Sequence, residues 1–311
     1  MHDSISDIMN KQFDEIAFDN FKVIFESDAT TEQEEDVRNK IQNYDPNSTS
    51  TLIHEENVVA MPEGKPNAPI TIAVPKNIDQ FQEMRVLQSR LNKDKFVLDD
   101  EGVYVSEKLA SMMNVSEGDY ITVYNQDLIG NAGDEQYSFK IAGIVENYIA
   151  HYIYMTPTVY KQYFHKDCIF KNLIARADSL NQNQQEVLDA LHETSFVKTA
   201  FFTTSTRETF DTMLRSVNLV VVVLIVSAGL LAFVVLYNLI NINICERSRE
   251  IATLKVLGAN KHEVNMYIHR ETILLSVMGA LIGIALGIFL EQFVIISAEV
   301  DLVMFGRTIY W

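Results

Sequence analysis

Seven histidines, at positions 2, 54, 151, 165, 192, 262 and 269, are the side chains best suited to proton transfer and metal binding near neutral pH. Their spacing matches no metal site, and no H-E-x-x-H helix is present. The sequence also lacks a G-x-S-x-G nucleophile elbow and a Walker A phosphate loop, so acyl transfer and nucleotide hydrolysis on this chain are not expected. His262 and His269 share a helical face, which fits a solvated or headgroup-facing pair better than a ligand pair. Glu32, Glu34, Glu35 and Asp36 attract cations as a group, and a solvated helix face accounts for them. Cys168 and Cys245 fall in regions that should lie apart, so no disulfide is expected. No cofactor or metal is called for, and an enzyme is not expected.

The elements around these residues explain why. The chain has 311 residues, 48% of them hydrophobic and 22% charged, which resembles an ordinary globular protein. That average hides a partition. Residues 216–245 carry no charge, and 23 of the 30 are apolar. Thr272–Leu290 also lack charge, and the apolar run continues past Glu291 to Ile296. About 20 apolar residues suffice for a helix to cross a bilayer, so both runs read as membrane helices. In the second run Gly279, Gly283 and Gly287 fall four apart on one face, which suits close packing of another helix.

The net charge of −17 is uneven as well: residues 1–215 hold 19 basic and 35 acidic residues, or −16. Such an acidic region excludes nucleic-acid binding through a basic face. Lys/Arg counts on the two sides of the spans are nearly balanced and leave orientation open. Residues 1–30 contain no signal-peptide apolar stretch. If residues 1–205 lie outside, an earlier span must have carried them there, so the sequence reads as a fragment. The aromatic end Ile309-Tyr310-Trp311 suits a membrane interface leading to a further span.

Residues 1–205 alternate short strands with short helices, which predicts an α+β domain. Strands are expected at Phe21–Phe25, Pro69–Pro75, Val103–Val105, Tyr120–Tyr124, Phe139–Val145 and Phe196–Phe202. Helices are expected at Thr31–Ile41 (with Thr31 as N-cap), Ser106–Met113 (with Ser106 as N-cap), after Thr156-Pro157, and at Gln182–His192. Asn125–Gln136 reads as a Gly/Asn/Asp loop. Tyr148, Tyr152, Tyr154, Tyr160 and Tyr163 are expected to pack in the core, with a partner-binding patch as the alternative. Ser205 and Glu208 form a capping box from which one helix can continue into the first span, about 60 Å of rod.

The loop between the spans is the most informative stretch. Glu246–Asn260 reads ERSREIATLKVLGAN. Ile251, Leu254 and Leu257 are spaced by three, which predicts a short amphipathic helix. Gly258 can end it in a left-handed turn, and Asn260 with Glu263 can cap a second helix that enters the membrane. Arg247, Arg249 and Lys255 are placed for lipid headgroups or a partner.

This loop, set between two spans after a large domain, resembles the FtsX-like permeases of ABC transporters, the group that includes MacB and LolC. The outer region is similar too, at Val115–Val123 (VSEGDYITV) and at Phe139–Val145 before Tyr154-Met155-Thr156-Pro157. The resemblance implies a cytoplasmic loop holding a coupling helix against an ATPase subunit, carried by Arg249, Glu250, Ile251, Leu254, Lys255, Leu257, Gly258 and Ala259. It implies a MacB periplasmic-core-like α+β extracytoplasmic domain joined to α-helical transmembrane segments. The expected division is residues 1–205 for the extracytoplasmic domain, 206–245 for a stalk and membrane helix, 246–271 for the cytoplasmic loop, 272–296 for a second membrane helix, and 297–311 for an outer segment. The implied partners are an ABC ATPase subunit, membrane lipids and a second permease half or protomer. The implied function is a permease subunit in the cell membrane that moves an extracytoplasmic domain to export or extract a lipid, peptide or antibiotic. The alternative is a force relay or scaffold acting on an outer partner such as a cell-wall hydrolase.

Overall fold

A computed structural model describes residues 8–298, apart from residues 65, 128, 183, 193 and 259. The chain divides into two compact units, the second of which is Thr212–Ala298.

The first unit is built on nine strands: β1 (Phe21–Phe25), β2 (Thr49–Ala60), β3 (Ala68–Pro75), β4 (Val103–Ser106), β5 (Tyr120–Gln126), β6 (Ala132–Val145), β7 (His151–Tyr154), β8 (Asn172–Arg176) and β9 (Val197–Phe202). Its helices are α1 (Thr31–Tyr44), α2 (Ile78–Met84), α3 (Glu107–Met113), α4 (Pro157–Phe164) and α5 (Gln184–His192), preceded by a π-helical turn at Lys11–Ile16. The sheet order is β3-β7-β4-β6-β5-β2-β8-β1-β9, and β2 also pairs with β3. That extra pairing closes β2, β3, β7, β4, β6 and β5 into a ring. β8, β1 and β9 extend the sheet from the start of β2.

β2 joins the two parts. Its residues from Ile53 to Ala60 run antiparallel to β3, from Ile53 opposite Pro75 to Ala60 opposite Ala68. Its first residues, Thr49–Ile53, pair with β8. Alternate side chains of a strand face opposite sides, and the ring uses this. Val58, Ile70, Ile72, Val103, Val105, Ile121, Val123, Phe139, Ile141 and Ile153 share one buried cluster with residues of α3 and α4. Ile53, Ala73, Tyr104 and Tyr154 point the other way, into a second cluster with Phe81 and Met84 of α2. A third cluster packs Phe21, Val23 and Phe25 of β1 against Val37 and Ile41 of α1. Gly102 is needed where strands crowd: a Cβ there would sit 2.5 Å from the Lys140 carbonyl oxygen.

The caps explain the helix starts. The α1 cap is Thr30, one residue before the expected Thr31, because Thr30 and Gln33 complete a reciprocal capping box. Ser106 occupies the N-cap position of α3 without making the side-chain bond. Its hydroxyl accepts instead from the Tyr152 backbone N–H at 3.3 Å, tying β4 to β7. Thr156 caps α4 by accepting from the Val159 N–H, with Pro157 at the first helical position. The Thr156 hydroxyl in turn donates to Asp100. The expected loop at Asn125–Gln136 is shorter than its composition suggests, because β6 already begins at Ala132. Tyr148, Tyr154 and Tyr160 are buried in the core, whereas Tyr152 and Tyr163 are half-buried and pack against its edge.

One buried carboxylate predicts an acid sensitivity. The side chain of Glu146 is 1% exposed. It accepts from Lys93 Nζ at 2.7 Å, the Tyr148 hydroxyl at 2.6 Å and Gln88 Nε2 at 3.0 Å. Burial pushes its pKa up, but these bonds hold it below the usual 4.5. A depressed pKa gives stability that is present above the unfolded value and is lost as pH falls through the folded one. Thermal melts of the detergent-solubilised chain should therefore fall as pH drops below about 4.5. Glu146→Gln should flatten that fall and lower stability by about 1–3 kcal/mol at pH 7. An unchanged acid limb in the variant would assign the loss to other groups.

α6 (Thr203–Glu246) starts in the first unit and runs into the second, where the short α7 (Ser248–Val256) and then α8 (Lys261–Ala298) follow it. α6 starts at Thr203, so Ser205 lies inside the helix rather than at its cap. Its 44 residues give about 66 Å of helix. Val221–Glu246 and Ile273–Leu290 are long and apolar enough to cross a membrane, and neither is buried within the chain. A Cβ on Gly279, Gly283 or Gly287 would meet nothing within 4 Å, so this face is open along α8. The expected outer segment 297–311 lies outside the described residues beyond Ala298.

Candidate functional site

The stretch between α6 and α8 folds as a short helix held by backbone turns at both ends. α6 stops at Glu246, and the Arg247 N–H still bonds to the Asn243 carbonyl at 3.2 Å. The Arg247 carbonyl then accepts from the Ile251 N–H at 3.0 Å, so Arg247 links the two helices. Within α7 the Thr253 hydroxyl donates back to the Arg249 carbonyl at 2.9 Å, covering a polar side chain that would otherwise compete with the helix. At the far end the Leu257 N–H bonds to the Thr253 carbonyl at 3.1 Å. Gly258 follows at φ +86°, the left-handed conformation that ends helices and that side chains with a Cβ resist. α8 begins at Lys261, directly after Asn260.

Side-chain exposure sorts the predicted residues. Ile251 and Leu254 are half-buried, and α7 touches α8. Arg249 and Glu250 are exposed. Leu257 is 78% exposed, and its neighbour Val256 is 88% exposed. The expected stripe of Ile251, Leu254 and Leu257 therefore splits: two residues turn partly inward and the third faces out. Val256 was not singled out by spacing, because it falls between the stripe positions. Its signal was its place beside Leu257 at the helix end, where two consecutive apolar residues cannot both turn inward. Ala259 and the side chain of Lys255 lie outside the described residues.

Among the described residues of α7, Arg249 and Glu250 are exposed rather than set into a cleft. The arrangement offers two open apolar side chains at the tip of a nine-residue helix, with a charged pair, Arg249 and Glu250, earlier on the same helix. Two adjacent open apolar side chains at a helix end can seat in an apolar groove of a partner. The chemistry available here is docking.

Comparison with known proteins bears on this same stretch. Residues 222–311 match the family described as FtsX-like permease C-terminal, and the match includes α7. Solved structures similar to the chain include two extracytoplasmic domains. One is the extracellular domain of the noncanonic ABC-type transporter YknZ from Gram-positive bacteria, at 14% identity over 59% of this chain and 98% of that one, with a TM-score of 0.35. The other is the periplasmic region of MacB from Actinobacillus actinomycetemcomitans, at 11% identity over 65% of this chain and 97% of that one, also with a TM-score of 0.35. No curated protein matches the chain.

Proposed function

We propose, from the FtsX-like permease C-terminal segment formed by residues 222–311, that this chain acts as the permease subunit of an ABC transporter. The carrying observation is the short helix α7, placed between two membrane-length helices and ending in open Val256 and Leu257. In this reading residues 246–271 lie in the cytoplasm, and α7 seats on a separate ATPase through Arg249, Glu250, Ile251, Leu254, Lys255, Leu257, Gly258 and Ala259. Residues 1–205 lie outside the cell. ATP binding and hydrolysis by the partner displace α7, and the ends of α6 and α8 follow it. α6 begins immediately after β9, so a displacement of the helix acts on the strand that leads out of the sheet. The substrate class is an exported or extracted lipid, peptide or antibiotic. The open Gly279, Gly283 and Gly287 face of α8 receives another membrane helix, from a second permease half or protomer.

A second reading uses the same parts as a force relay that controls an outer partner such as a cell-wall hydrolase. The unbroken 44-residue α6 favours it, since a helix with no internal break transmits displacement along its axis. Co-purification of the detergent-solubilised chain with its ATPase tests the common premise. Stable assembly with a changed turnover supports it, and failure to assemble overturns it. A pull-down with the assembled complex then separates the readings: a captured wall enzyme selects the relay, and a captured small lipid, peptide or antibiotic selects transport.

A further inference from the structure

A cleft of about 270 Å³ opens between α1, the start of β2 and the turn into α2. Its floor is neutral and buried: Thr51 is 0% and Leu52 is 7% exposed. Its walls carry both signs of charge. Glu34 and Glu35 come from α1, and Arg38 lies one turn further along the same helix. Lys76 faces them from the turn after β3.

These charges stay apart rather than neutralising each other. Arg38 is fixed by Ser50, with Nε donating to the hydroxyl at 3.2 Å and Nη2 to the backbone carbonyl at 2.8 Å. A guanidinium has five N–H donors, so 5 − 2 leaves three for another acceptor. Lys76 lies over the Phe170 ring, 5.9 Å from its centroid. Burial raises the Glu34 pKa, and the pull of Lys76 in the opposite direction is too weak to cancel it. Among the described residues Glu34 and Lys76 do not close into an ion pair. A partly desolvated carboxylate, a fixed guanidinium with spare donors and an ammonium that no carboxylate neutralises thus surround one small space with a neutral floor.

We propose that this cleft binds a small zwitterion, a free α-amino acid or a short peptide, with its ammonium on Glu34 and Glu35 and its carboxylate on Lys76 and Arg38. The two-sign lining selects against a simple cation or anion, because either would be repelled by half the wall. The volume of about 270 Å³ falls just below the range of small-molecule sites, about 300–1,000 Å³, which limits the ligand to one or a few residues. The site lies in the first unit and does not depend on the ATPase reading.

Calorimetric titration of the detergent-solubilised full chain tests it with three probes: alanine, dialanine and N-acetyl-dialanine amide. The expected result is binding of alanine or dialanine, with the uncharged analogue at least tenfold weaker. The tighter of the two charged probes identifies the source as amino acid or peptide. Glu34→Gln and Lys76→Met should each weaken binding tenfold or more without moving the melting temperature, since both side chains reach solvent. Equal binding of the capped analogue, no binding of any probe at millimolar concentration, or unchanged affinity in both variants overturns the proposal.

Discussion

Arg85→Met should destabilise the domain by about 3–5 kcal/mol, because it strands a buried carboxylate. Asp19 is 7% exposed, and Arg85 meets it with two parallel bonds, Nε to Oδ1 at 2.8 Å and Nη2 to Oδ2 at 3.0 Å. The guanidinium also sits 5.5 Å from the centroid of the Tyr152 ring. Burial alone would lower the Arg85 pKa, yet Asp19 carries it well above the usual arginine value. The pair ties the segment before β1 to the end of α2, two stretches far apart in sequence. A fork of this kind is bidentate, so Arg85→Lys should also lose stability although the charge remains. The double replacement Asp19→Leu with Arg85→Met should recover part of the loss, since removing both charges leaves nothing buried unpaired. Urea unfolding of the detergent-solubilised chain, followed by near-ultraviolet dichroism of the tyrosines, measures all four proteins. A single variant as stable as the parent would show that Asp19 finds another donor or reaches water.

How far such features can be read from sequence depends on where their partners lie. β1 was legible because Phe21, Val23 and Phe25 alternate with Lys22 and Ile24 over a strand buried on one face. α4 was legible because Thr156-Pro157 is a local signal. β2, the strand that joins the two parts of the sheet, was not. Its middle reads His54-Glu55-Glu56-Asn57, a run that resembles a loop. Its two carboxylates are satisfied from afar: the Tyr160 hydroxyl donates to Glu56 at 2.5 Å, and Lys22 and Asn172 both donate to Glu55 at 2.6 Å. No pattern within 12 residues can show partners that tertiary folding brings. β6 extends seven residues before the expected Phe139 for a related reason. Its first residues form the solvated part of a hairpin, where neither face is apolar and periodicity disappears.

The α7 site shows the opposite balance. Helix, glycine turn and the start of the second helix follow from local chemistry, and all three are legible in Glu246–Glu263. Side-chain direction at the helix tip was not visible, because a spacing of three describes a face and says nothing of what covers it. The structure separates Leu254, half-buried, from Val256 and Leu257, which stand open.

That separation sharpens the second large effect. Val256→Glu combined with Leu257→Glu should weaken association with the ATPase by at least a hundredfold while leaving the fold intact. Fully burying one such side chain contributes about 1.5–3 kcal/mol. Two therefore amount to roughly 3–6 kcal/mol, and every 1.4 kcal/mol is a factor of ten in affinity. The glutamates add a further cost, because a charge buried in an apolar contact has no partner. In the isolated chain the same substitutions cost little, since both side chains already face outward. Leu254→Glu is the contrasting variant. It acts on a half-buried position, so it should disturb the packing of α7 as well as docking, and a thermal melt would register the difference. Assembly is read by co-purification, and coupling by stimulation of ATPase turnover. If the Val256 and Leu257 double variant assembles and stimulates like the parent, docking does not run through the tip of α7, and Arg249 and Glu250 on its first turns become the residues to replace next.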